Sequence, residues 1–254
     1  IDRDKIDEII YEGAKIATIY PFPLYPGLQK FVDSPAVKAL EAKYEPRKFD
    51  PEASAALMTE AGFTKNGDDL WEKDGATVNM VINGFEGIHS DIVPVLVEML
   101  KAGGFDANVN FGTDAYQNMA DGKPGAYMFG HGASLKDPYA ALDLYSSRNS
   151  KPLGTTAGNN SFARYNNPEY DALLAIMAPL PAEDPKFQDA AAKALGIYWR
   201  DQIDIPIIQW LHRIPYNQTY WTNWPTTANV AGGTNGAFWA FTGMLVITQL
   251  KAAK

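Results

Sequence analysis

"TVNMVINGFEGIHSDIVPVLVEMLKAGGFDANVNF", residues 77–111, holds the pattern that decides the fold. It opens on the β-prone run TVNMVI, passes through the amphipathic stretch HSDIVPVLVEMLKAGGF, and closes on DANVNF, which alternates polar and apolar residues. Such alternation has the period of a strand, because successive side chains on extended backbone face opposite ways. Gly103 and Gly104 stop the helix between the two runs. Strand, helix and strand within about thirty-five residues make a βαβ unit, whose strands join one sheet through a crossover.

Working outward, LWEKDGATVNMVI (70–82) predicts a hairpin, with Asp74-Gly75 as its tight turn. DPEASAALMTEAGF (50–63) predicts a helix: Asp50 caps it, Pro51 sits in the first turn and Gly62 ends it. Ile6, Ile9, Ile10 and Gly13 at helical spacing predict another over 3–16. ATIYPFPLYPG (17–27) carries too many prolines for regular structure. Beyond the central unit, DAYQNMADGKPG (114–125) predicts a short helix and turn, and AYMFG (126–130) a buried strand. Residues 130–165, rich in Gly, Ser, Asn and Pro, predict a long irregular stretch of the kind that tends to carry function. NPEYDALLAIM (167–177) and DPKFQDAAAKALGIYWRDQ (184–202) follow as helices capped by Asn and Asp, and IPIIQWLHRI (205–214) as a strand. There is no internal repeat or low-complexity linker. The expected fold is one α/β domain over 1–254, a mixed β-sheet with helices on its faces.

Composition narrows the function. The 254 residues suffice for a sizeable core, and 46% apolar with 20% charged residues is ordinary for a globular chain. A net charge of −8 without a basic cluster argues against nucleic acid as partner. The absence of cysteine excludes disulfides, thiolate metal sites and Cys nucleophiles. No apolar run approaches the roughly 20 residues of a membrane span. The opening IDRDKIDEII has neither initiator Met nor signal peptide, so a processed N-terminus or a piece of a longer protein is expected.

Enzyme motifs are scarce. No nucleophile elbow, P-loop, dinucleotide fingerprint or HExxH stands in the chain, and His89, His131 and His212 lack metal-ligand spacing. No cofactor, no metal and no catalytic residue is assigned, and the chain is not read as an enzyme. Binding signals are stronger. Trp210, Tyr216, Tyr220, Trp221 and Trp224 lie within fifteen residues, with Asn217, Gln218, Thr222 and Asn223 interleaved. Flat rings beside neutral amides suit a sugar: a ring covers the C–H face of a pyranose while amides bond its hydroxyls. The plainer alternative is that these rings fill the core. Trp221 and Trp224, three apart and followed by Pro225, would both be core on a helical turn.

Several stretches together resemble the family 5 extracellular solute-binding proteins of ABC importers, which include peptide, nickel and oligosaccharide receptors. They are IDRDKIDEIIYEGAKIATIYPFP, KFDPEASAALMTEAGF, DDLWEKDGATVNMVI, DPYAALDLY, NNSFARYNNPEYDALL and DIPIIQWLHRI, in the order the family has them. The resemblance implies a periplasmic-binding-protein-like second lobe of type II, the C-terminal part of a two-lobe receptor whose N-terminal lobe is missing. Residues 227–254 would then be a tail that returns to that lobe. HRIPYNQTYWTNWPT and PLGTTAGNNSFARYNNPE are most similar to the oligosaccharide-binding branch. It implies a periplasmic or extracellular location, with a lipid anchor possible in the intact form, and the membrane permease of an importer as partner.

The expected ligand-binding residues are Tyr220, Trp221, Trp224, Asn223, Asp137, Trp210, Arg164 and Asn160. Asp137, in KDPY, falls where the family's peptide receptors carry an acid for the peptide's amino terminus; equally, an Asp before Pro138 caps a helix. Arg164 either anchors a carboxylate or buttresses its loop. The alternatives kept open are an oligopeptide receptor of the same family and a glycan-acting enzyme.

Overall fold

A computed structural model of the chain describes residues 1–14, 16–130, 134, 136–158, 161–209, 215–226 and 240–253. In chain order the elements are α1 (Arg3–Tyr11), β1 (Ile16–Ala17), α2 (Pro26–Val32), α3 (Pro35–Tyr44), α4 (Pro51–Glu60), β2 (Thr64–Lys65), β3 (Trp71–Lys73), β4 (Ala76–Thr77) and β5 (Asn79–Asn83). There follow α5 (Ile92–Ala102), β6 (Asp106–Asn110), α6 (Ala115–Asp121), β7 (Ala126–Tyr127), α7 (Tyr139–Asp143), α8 (Pro168–Met177), α9 (Pro185–Asp201), β8 (Ile208–Gln209), β9 (Trp221–Thr222), α10 (Ala240–Ile247) and β10 (Lys251–Ala252). A 3-10 turn at Ser147–Asn149 follows α7.

The central unit forms as its sequence dictates. β5 pairs in parallel with β6, Asn79 opposite Asp106 through Asn83 opposite Asn110, and β7 adds to the other edge of β5. Ile82 and Ala107 are buried with Ile92, Val93, Leu96 and Val97 of α5, and Ile6 of α1 and Ile207 close this core. The opposite sheet face is polar: Asn79 Nδ2 donates to Asp106 at 2.7 Å and Asn110 Nδ2 to Asn83 at 2.7 Å. The hairpin turns at Asp74 and Gly75, both at positive φ (52° and 75°), the backbone that a two-residue turn between twisted strands requires. Trp71 then ties the hairpin to the end of α5, its Nε1 donating to the Gly103 carbonyl at 2.9 Å.

A second core surrounds α9. Ala190, Ala191, Ala194 and Leu195 pack with Tyr170, Leu174 and Met177 of α8, Val37 of α3, and Tyr20 and Phe22. Two polar atoms in this core are bonded to backbone: the Tyr170 hydroxyl donates to Leu142 O at 2.8 Å and Trp199 Nε1 to Ile19 O at 2.8 Å. Arg3 joins distant segments by donating to the carbonyls of Pro206 and Pro46.

The α/β class stands, with the antiparallel pairs outside the parallel sheet. Some details differ from the sequence-based expectation, among them α2, which begins inside the 17–27 run, and α7, inside the 130–165 stretch. α1 ends at Tyr11, because Glu12 and Gly13 take left-handed backbone. Of the run 205–214, the described residues 205–209 are strand only at β8, which pairs antiparallel with β1, and residues 210–214 lie outside the described set. The 126–130 run is a strand only at Ala126–Tyr127, half-buried rather than buried. Among the described residues no helix is long and apolar enough to cross a membrane.

Candidate functional site

The C-terminal rings are carried by a narrow ribbon. β9 pairs antiparallel with β10, Trp221 opposite Ala252 and Thr222 opposite Lys251. Ala253 N donates to Tyr220 O at 2.9 Å, and Asn223, left-handed at φ 66°, donates from Nδ2 to Gln249 O at 2.7 Å. The residues 220–223 are therefore strand and turn, not a helical turn, so the spacing of Trp221 and Trp224 does not send both inward. Tyr220 is 76% exposed and Trp221 51%. Trp224 is half-buried, stacked on Tyr216 at 4.8 Å and 14°, with its Nε1 donating to Trp221 O at 3.0 Å.

The other expected residues lie elsewhere. Asp137 is half-exposed, and its Oδ1 accepts at 2.9 Å from the backbone N–H of Tyr139, the first residue of α7. Arg164 buttresses its loop: its guanidinium donates to the carbonyls of Ala120 at 2.6 Å, Thr155 at 2.9 Å, Phe162 at 3.2 Å and Met119 at 3.5 Å. Trp210 and Asn160 lie outside the described residues.

A second ring group escaped the sequence reading. Phe85, Tyr116, Phe129 and Phe162 meet beyond the carboxyl ends of the parallel strands. Phe129 lies edge-on to Phe162 (5.1 Å, 90°) and to Phe85 (6.1 Å, 80°), and Tyr116 edge-on to Phe162 (5.7 Å, 83°). Phe85 follows β5 by two residues, Phe129 follows β7 by two, and Tyr116 stands on α6 just after β6. The outer ends of parallel strands are where open α/β sheets hold ligands, and that rule, applied to the predicted strands, would have found three of the four. Beneath them His89 is buried against Phe85, and desolvation lowers its pKa, which favours the neutral ring.

A separate open hollow of about 720 Å³ lies over α3, lined by Tyr20, Glu41, Arg47 and Lys48 among others, and shares no residue with either ring group. Its side chains are engaged with one another, Tyr20 with Glu41 and Lys48 with Glu45, so it is a salt-bridged surface and not the better candidate. Among the described residues no group of three or more His, Asp or Glu could hold a metal ion.

Helices pack around a parallel sheet and half-open rings stand at its strand ends, the place where open α/β sheets hold ligands. Comparison with known proteins gives the particular family. The family model described as "Bacterial extracellular solute-binding proteins, family 5 Middle" matches residues 1–152, and the chain belongs to that family. Among solved structures it is similar to a mannohexaose-bound periplasmic oligopeptide-binding protein of Thermotoga maritima, with 24% identity, 99% of this chain and 47% of that one covered, and a TM-score of 0.76. It is also similar to the oligopeptide-binding protein AppA of Bacillus subtilis in complex with a nonapeptide (18% identity, 100% and 46% covered, TM-score 0.66). A third is NikZ of Campylobacter jejuni in complex with Ni(L-His) (18%, 82% and 39%, TM-score 0.63). At such identities these likenesses show the fold, that of type II periplasmic binding proteins, and the chain spans less than half the length of each. No curated protein sequence matches the chain.

Proposed function

We propose that this chain is a ligand-closing lobe in the extracytoplasmic receptor of an ABC importer, and that its solute is an oligosaccharide. The receptor would close two lobes on the solute by a hinge and surrender it to the membrane permease, breaking no bond. The observation that carries the sugar assignment is the ribbon: Tyr220 and Trp221 stand exposed beside the stacked Tyr216–Trp224 pair, among the uncharged side chains of Asn217, Gln218, Thr222 and Asn223. A mannohexaose-bound structural neighbour of like fold supports the same choice.

The test is calorimetry of the full-length protein against mannohexaose and a nonapeptide. At about 0.5–1.5 kcal/mol per ring contact, Trp221→Ala and Trp224→Ala should each weaken mannohexaose binding by about 2- to 12-fold with folding intact. Wild-type affinity in both variants removes the ribbon from the site. The second reading, an oligopeptide receptor, draws on the half-exposed carboxylate of Asp137 and on the nonapeptide held by a neighbour of the same fold. Heat from the nonapeptide alone would select it.

A further inference from the structure

Micromolar affinity needs about 8 kcal/mol, several times what one or two stacked rings supply. Other contacts must therefore share the ligand, and the exposed ring cluster at the strand ends is the candidate for them. Tyr116 is 47% exposed, and Phe85, Phe129 and Phe162 are each half-buried. Together they form one cluster of touching rings, not four isolated ones, with Tyr116 open to solvent, and exposed apolar clusters mark places where something docks. Asn83 and Asn110 end the two longer strands below it, and the exposed carboxylates of Glu86, next to Phe85, and Asp114, at the start of α6, would disfavour an anionic ligand.

The rings are held in place by devices whose geometry is specific. Gly84 carries the chain from β5 to Phe85, and a Cβ there would stand 2.9 Å from Phe111 and 3.0 Å from Val93. Arg164 binds two of the ring-bearing segments together. It donates to Ala120 and Met119 on α6, the helix of Tyr116, and to Thr155 and Phe162 on the loop that carries the fourth ring. Gly122, at φ 70°, makes room for this: a Cβ there would stand 2.6 Å from the Arg164 Cζ.

We propose that Phe85, Tyr116, Phe129 and Phe162 form a second aromatic subsite, which takes the C–H face of a neutral pyranose, and that Arg164 is its positioning residue. The assignment of a ligand here rests on the capture function proposed above. It adds a surface on the sheet, distinct from the C-terminal ribbon, and a residue that acts on the ligand only through the rings.

The experiment uses the full-length protein, with mannohexaose and a nonapeptide as probes and Trp221→Ala as comparator. Tyr116→Ala and Phe162→Leu remove rings while Phe162→Leu keeps apolar volume; each should weaken mannohexaose binding about 3- to 10-fold at an unchanged melting temperature. Arg164→Lys keeps the charge but loses the planar fork. It should shift the ¹⁹F resonance of 4-fluorophenylalanine at position 162 in the ligand-free protein and weaken binding no more than Phe162→Leu does. Mannohexaose bound within about twofold of wild type by both ring variants overturns the subsite and leaves capture standing. Binding of neither probe by the wild type fails the capture function, and the subsite with it. Nonapeptide binding alone, weakened by the same variants, overturns the sugar as its ligand.

Discussion

At the scale of single residues, the roles written most plainly in the chain are those of caps. Asp50, Asn167 and Asp184 each precede a proline, and each side chain accepts a backbone N–H of the first turn, Asp50 from Ala53 at 2.8 Å. Asp201 was not legible in the same way, because two of its three partners come from a segment more than thirty residues earlier. Its carboxylate accepts from Arg200, from the Tyr165 hydroxyl and from Asn167. The Arg200 guanidinium is the chief cause that holds its pKa down to about 2. A depressed carboxylate stabilises the fold above its unfolded value, near 4, and loses that contribution as pH falls through its folded value. Asp201→Asn should thus lower stability at pH 7 by about 1 kcal/mol, a figure reduced for solvent screening, and the gap from wild type should close between about pH 4 and pH 2. Urea denaturation across that range measures it, and a gap that stays constant with pH would show that charge has no part.

At the scale of elements, the sequence is legible where one local rule acts alone and opaque where two compete. The Asp74-Gly75 turn, α4, α5, α8 and α9 all follow from caps, turn residues and period. α2 does not, because Pro26 closes the proline-rich 17–27 run read as irregular while it sits in a first helical turn, where the missing N–H has no partner to lose. What fixes α2 is tertiary. Leu28 and Val32 are buried, and Gly27 lies so close to the loop before α7 that a Cβ there would stand 2.5 Å from the Lys136 carbonyl oxygen. A backbone atom cannot swing aside as a side-chain tip does. Gly27→Ala should therefore destabilise by about 1–3 kcal/mol, despite the better helix propensity of alanine, with a lowered urea midpoint as the measure. A neutral or raised midpoint would mean that the loop carrying Asp137 yields freely.

At the scale of the whole molecule, the class of fold was legible because the βαβ pattern is contiguous, whereas half of the candidate site was not. The ribbon rings announce themselves as one crowded stretch. Phe85, Tyr116, Phe129 and Phe162 are scattered over 78 positions and become neighbours only when three strands align and Arg164 draws the last loop in. Both groups share a chemical property that decides how binding responds to salt. Rings and amides hold a neutral ligand without formal charge, while an amino terminus paired with Asp137 would depend on Coulomb attraction in a chain of net charge −8. Raising salt from about 0.05 to 0.5 M shortens the screening length from roughly 14 to 4 Å, which weakens an exposed ion pair and leaves stacking almost untouched. Mannohexaose affinity in the full-length protein should accordingly change by less than about twofold over that range. Affinity that instead falls several-fold with salt, and loses that dependence in Asp137→Asn, would move the anchor from the rings to the carboxylate and the solute from sugar to peptide.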